Sequence, residues 1–177
     1  LHSFPTRRSS DLEMLDIACE VLPDQVTLVP ELPGEVTTTG GLDCTKNLQT
    51  IATAIERLKS AGMAVSLFID PEEEQIRASG DLGTTAIELN TSRYSDATLT
   101  NRPLAAAAEE LAIIRRASEL GSARNLQVLA GHGLTYRNVR AISRVEQIIE
   151  LNIGHNIIAR AALVGLDRAV RDMLALL

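Results

Sequence analysis

Two histidines in this sequence stand between or beside glycines: Gly131-His132-Gly133 and Gly154-His155. A glycine neighbour lets a ligand approach the main chain closely, because no Cβ blocks it. Amides exposed just before a helix also form a ready cradle for a phosphate. An imidazole in such a place can move protons near neutral pH. The other candidate is Glu88, a carboxylate inside the apolar run Ala86-Ile87-Glu88-Leu89. Desolvated there, it can act as an acid, a base or a stabiliser of developing charge. Each residue has a plainer alternative: a solvated loop histidine, an edge-strand carboxylate, or a structural ion pair. His132 and His155 lie on different loops without a third ligand, so a metal centre is disfavoured. Neither Cys19 nor Cys44 has an activating base nearby in sequence, which disfavours thiol catalysis. The triplet Thr37-Thr38-Thr39 offers hydroxyls in a long loop, residues 30–44, that contains Pro33, Gly34, Gly40 and Gly41. Long structured loops in small domains are usually functional.

These residues need elements to hold them. Apolar, β-branched runs over 25–29, 64–69, 85–89, 126–130 and 148–152 are of strand length and bounded by turn residues. Their near-continuous apolar character predicts strands covered on both faces, as in parallel sheets. Helices are predicted over 45–61, 103–120, 136–142 and 157–177, the last interrupted near Gly165, with a shorter acidic helix opening at Pro71. Glu72, Glu73 and Glu74 read as its solvated first turn. Alternating strand and helix means a parallel α/β sheet, closed as a barrel or doubly wound. Polar residues cluster at the carboxyl ends of these strands: Glu31, Asp70, Asn90, His132 and His155. In a barrel these ends share one rim, where reactive groups collect.

Composition narrows the classes further. The 177 residues are 45% hydrophobic and carry a net charge of −6, enough for one domain with a core. The acidic balance and 2% aromatic content disfavour nucleic-acid binding. No apolar run is long enough to predict a transmembrane helix. Two cysteines without framework spacing fit a reducing cytoplasm. Residues 1–12, with His2-Ser3-Phe4-Pro5-Thr6-Arg7-Arg8-Ser9-Ser10-Asp11-Leu12, resemble the in-frame translation of a sequencing-library adapter. They are expected to be extraneous, with the native domain covering 13–177.

Several blocks together resemble the pyridoxine 5′-phosphate synthase family: Leu28-Val29-Pro30-Glu31, Glu35-Val36-Thr37-Thr38, Gly40-Gly41-Leu42-Asp43, Val65-Ser66-Leu67-Phe68-Ile69-Asp70, Ala130-Gly131-His132-Gly133-Leu134-Thr135-Tyr136 and Glu150-Leu151-Asn152-Ile153-Gly154-His155. The resemblance implies a (β/α)8 TIM barrel, a cytoplasmic homo-octamer, and no metal or organic cofactor. It implies condensation of 3-amino-2-oxopropyl phosphate with 1-deoxy-D-xylulose 5-phosphate. By motif, His132 matches the general acid, which also contacts the aminoketone phosphate. Glu88 matches the carboxylate that stabilises charge in the transition state. Thr37 matches a contact to deoxyxylulose phosphate, and Gly154 with His155 a binding pair for the aminoketone phosphate.

One departure is clear. The family usually has a histidine two residues after the strand glutamate, and this chain has Asn90. The resemblance also implies that the family's first three barrel strands, with a catalytic His and Glu, are absent from this sequence. Leu12-Glu13-Met14 imitates the third-strand motif, but its distance from Leu28 puts Glu13 in the following helix. The chain is therefore expected to be a partial barrel and inactive alone. Two other readings remain: another phosphate-binding barrel enzyme, or a non-catalytic subunit that assembles with intact partners. A Schiff-base aldolase is disfavoured, because the only lysines, Lys46 and Lys59, fall in a predicted helix.

Overall fold

A computed structural model of the chain describes residues 3–6, 12–30, 40–46, 48–99 and 102–177. Six strands form one sheet: β1 (Ser3–Thr6), β2 (Gln25–Leu28), β3 (Ala64–Ile69), β4 (Ala86–Asn90), β5 (Gln127–Gly131) and β6 (Ile148–Asn152). All pairings are parallel, and the spatial order is the order of the chain. A doubly wound sheet reverses its strand order at a switch point. This sheet has no such reversal among the described residues, so it is an arc of a (β/α)8 barrel, as expected.

The helices are α1 (Leu12–Val21), α2 (Leu48–Ser60), α3 (Glu73–Asp81), α4 (Ser92–Ala97), α5 (Leu104–Ala123), α6 (Val139–Ile142), α7 (His155–Val164) and α8 (Leu166–Leu174). Strand side chains alternate between faces. Val65, Leu67 and Ile69 of β3, Ile87 and Leu89 of β4, and Val128 and Ala130 of β5 join one core cluster. Ile51, Ile55 and Leu58 of α2, Ile76 of α3, and Ile114 and Ala117 of α5 complete it. The alternate positions form the opposite, inner face. There the register lines up Phe68, Glu88, Leu129 and Glu150 in one row, and Asn90, Gly131 and Asn152 in the row nearer the strand ends.

Two helix starts differ from the sequence expectation where side chains capture main-chain groups, α5 runs past Gly121 to Ala123, and α7 opens at His155. Residues 44–46 are a turn rather than the start of α2, because Asp43 Oδ1 accepts from both the amide and hydroxyl of Thr45. Val139 rather than Tyr136 opens α6, because Asn138 Oδ1 accepts the Thr135 amide at 2.7 Å. The acidic helix begins at Glu73, since Glu72 is still extended; residues 72–74 are exposed, as expected. The break near Gly165 is real: its φ of 84° separates α7 from α8. Two elements were not anticipated. One is α4, whose six residues are too few to show a period. The other is β1, within the segment expected to be extraneous. The flank of β2 is an open ladder, and any extended backbone can pair with it.

Ile87 is fully buried between β4 and its covering helices. Its truncation removes apolar contacts and leaves a cavity. Ile87→Ala is expected to lower unfolding stability by about 2–5 kcal/mol, read from urea denaturation monitored by circular dichroism.

Candidate functional site

The site is built at the carboxyl ends of β4, β5 and β6. Glu88 is 9% exposed on the inner face of β4. Its register partner on β5 is Leu129, but its carboxyl leans toward the strand end and lies over Gly131. A Cβ at Gly131 would fall inside van der Waals contact with Glu88 Oε1 and 3.1 Å from Asn152 Cβ. Only a residue without a side chain leaves that passage open. Across it, Asn152 of β6 hydrogen-bonds the carboxyl. Burial pushes the Glu88 pKa up to about 7; the Asn152 bond partly opposes the shift, and Glu150 adds repulsion. At neutral pH such a carboxyl can give or take a proton.

His132 follows β5 directly. Its φ is 76°, a left-handed conformation that costs a side-chain-bearing residue about 1–3 kcal/mol. Thr91, fully buried after β4, holds the corner. Its hydroxyl reaches the Gly131 carbonyl at 2.8 Å and the His132 carbonyl at 2.6 Å, and its amide donates to the Gly131 carbonyl. The next residue, Gly133, is also left-handed, and its Cα lies against the Ser95 side chain of α4. This corner turns the His132 ring toward Phe68 of β3, with centroids 6.1 Å apart and planes tilted by 52°. Burial holds the half-buried imidazole below its ordinary pKa; Asp96 opposes the shift and His155 reinforces it.

Asn90 holds the rim together through both ends of its amide. Its Nδ2 donates to Asp70 Oδ1 at 2.8 Å, and its Oδ1 accepts the Ser92 amide at the start of α4. Asp70 Oδ1 also accepts the Gly41 amide at 3.1 Å. One polar chain thus ties the Gly40-Gly41-Leu42 segment, β3, β4 and α4 together at the rim.

Gly154 and His155 open α7, and His155 is exposed. A cleft of about 730 Å³ lies between α4, the loop after β5, and α7; its lining includes Ser95, His132, Thr135, Arg137 and Asn156. Glu88, His132, Gly154 and His155 therefore share one rim. Thr37 lies outside the described residues. Sequence reasoning missed Thr91 and Asn152. Their only signal was position: a hydroxyl following a strand, and an amide ending one.

Ionisation of Glu88 links this site to stability. Its carboxyl has a pKa near 4.5 when unfolded and about 7 when folded. The folded chain therefore holds the extra proton between these values, and stability falls as pH rises from about 4.5 to 7. The loss is on the order of 3 kcal/mol. Glu88→Gln is expected to flatten this part of the stability–pH curve, measured by denaturant titration at stepped pH. Thr91→Val, which keeps shape but removes the hydroxyl, is expected to cost about 1–3 kcal/mol and to speed amide hydrogen exchange at His132 and Gly133.

Comparison with known proteins agrees with this architecture. A family profile described as "Pyridoxal phosphate biosynthesis protein PdxJ" matches residues 7–177. The pyridoxine 5′-phosphate synthase of Trichlorobacter lovleyi is 52% identical over 165 residues, covering 93% of this chain and 67% of that protein. The synthase of Synechococcus sp. WH7803 is 48% identical over 164 residues, covering 93% and 64%. The chain thus spans about two thirds of the length of these relatives. Among solved structures, 3-keto-L-gulonate-6-phosphate decarboxylase from Vibrio cholerae superposes with a TM-score of 0.62 at 14% identity, covering 99% of this chain and 72% of that one. A 3-hexulose-6-phosphate synthase superposes at 0.59 with 16% identity, covering 96% and 70%. At those identities the likeness is one of fold. The profile match over nearly the whole chain, with relatives at about half identity, places this chain in the PdxJ family of pyridoxal phosphate biosynthesis proteins.

Proposed function

We propose that this chain carries the carboxyl-terminal part of a pyridoxine 5′-phosphate synthase. The reaction condenses 3-amino-2-oxopropyl phosphate with 1-deoxy-D-xylulose 5-phosphate to pyridoxine 5′-phosphate, phosphate and water. The observation that carries the reading is the placement on one rim of a buried carboxyl, Glu88, and a constrained histidine, His132. Amine addition to a ketone and ring closure need repeated proton transfers at one locus, and these groups suit that work near neutral pH. His132 serves as the general acid and contacts the aminoketone phosphate. Glu88 stabilises charge in the transition state. Gly154 and His155, at the start of α7, bind the same phosphorylated substrate, where the amides of a helix N-terminus favour an anion. Thr37 contacts the deoxyxylulose phosphate.

In this reading the chemistry needs no metal or organic cofactor. The working protein is a cytoplasmic homo-oligomer, octameric in the intact family, and residues 1–12 are extraneous.

The test replaces residues 1–12 with the amino-terminal third of the Trichlorobacter lovleyi synthase and follows pyridoxine 5′-phosphate chromatographically. The chimera is expected to form product and the chain alone none. In the chimera, His132→Ala is expected to lower kcat by about 10²–10⁴. A chimera whose turnover is indifferent to His132 would overturn the assignment.

A further inference from the structure

Glu88 sits on β4 and Asn152 on β6, with the whole of β5 between them. Side chains two strands apart do not ordinarily meet, because strands are spaced about 4.8 Å apart and the middle strand's side chains fill the gap. Here the middle position of the row is Gly131, paired with Asn90 on one side and Asn152 on the other. The Glu88 carboxyl occupies the volume that a Cβ at Gly131 would need, and Asn152 meets it there.

We propose that Asn152 is a positioning residue for Glu88: its side-chain amide, reached across the bare Cα of Gly131, holds the carboxyl at the mouth of the sheet. The proposal rests on the reading of Glu88 as the charge-stabilising carboxyl. It adds what aims that carboxyl and keeps it from turning toward other partners on the inner face. Asn152 is the side chain that hydrogen-bonds the carboxyl among the described residues. On the β3 side, the register partner of Glu88 is the uncharged Phe68. Asp70, at the end of β3, is engaged with Asn90 and Gly41. His132, at the end of β5, faces Phe68. Glu150, on β6, repels Glu88. An amide is suited to the task because it can donate to the carboxylate and accept from the acid, so one contact serves both protonation states.

The test is a nuclear magnetic resonance pH titration of this chain, which needs no turnover. The Glu88 carboxyl carbon is identified by its absence in Glu88→Gln. It is expected to titrate near pH 7, and the Asn152 side-chain amide to shift with the same midpoint. In Glu88→Gln the Asn152 shift should vanish. Asn152→Leu, similar in volume and without the amide, should raise the Glu88 midpoint, because the lost bond favoured the charged form. Gly131→Ala should uncouple the two titrations while the rest of the spectrum stays dispersed. An Asn152 amide that does not move through the Glu88 transition would overturn the proposal, and so would an unchanged midpoint in Asn152→Leu. If a variant does not fold, the wild-type amide titration decides alone. Coupled titration in a chain whose chimera makes no product would sink the synthase reading and leave the positioning role intact.

Discussion

Parallel ladders joined in chain order require every strand to leave the sheet on the same side, and the functional arrangement of this protein follows from that requirement. Residues far apart in sequence, such as Asp70, Asn90, His132 and His155, become neighbours on one rim because each follows its strand's last paired residue or ends the strand itself. The helices only have to return the chain. They do so over a continuous apolar surface made by one alternate set of strand residues. The other alternate set is thereby freed from making the core, and it carries the polar groups.

That division explains how a carboxyl can be kept buried. On the helix-covered face a lone Glu would face hydrocarbon and cost several kcal/mol. On the inner face it meets an amide and a glycine gap, and it spends much of its time neutral at ordinary pH. The same logic applies to His132. Its left-handed backbone is not maintained by glycine neighbours alone, since the buried Thr91 fastens both adjoining carbonyls, its amide donating to that of Gly131 and its hydroxyl to that of His132. The unfavourable groups of the site are held in place by neutral donors and acceptors, which do not add charge to a crowded rim.

The strand interiors were legible because burial on both faces demands unbroken apolar runs, and five of them stand out in the sequence. The barrel-type strand order was not legible from alternation, because it depends on pairings between distant segments. Helix ends were misplaced wherever Asp43 or Asn138 captured a nearby amide, because such a bond depends on a rotamer that composition does not reveal. Glu88 and His132 could be singled out by contrast with their neighbours, a charge in an apolar run and an imidazole between glycines. Thr91 and Asn152 could not. Each is an ordinary small polar residue, and its importance comes from what the fold sets opposite it. The family resemblance read from the motif blocks reached further than the physical patterns alone, since it named a substrate class that periodicity cannot.

Gly131 has a genetic consequence. Every other amino acid carries a Cβ, so no substitution at this codon is a small step; even alanine fills the space that the Glu88 carboxyl occupies. The position therefore has no neutral neighbours in sequence space while Glu88 reaches across it. A lineage could change this residue only after the carboxyl had been withdrawn or shortened. The order in which the two codons can mutate is constrained, and that constraint originates in a missing methyl group.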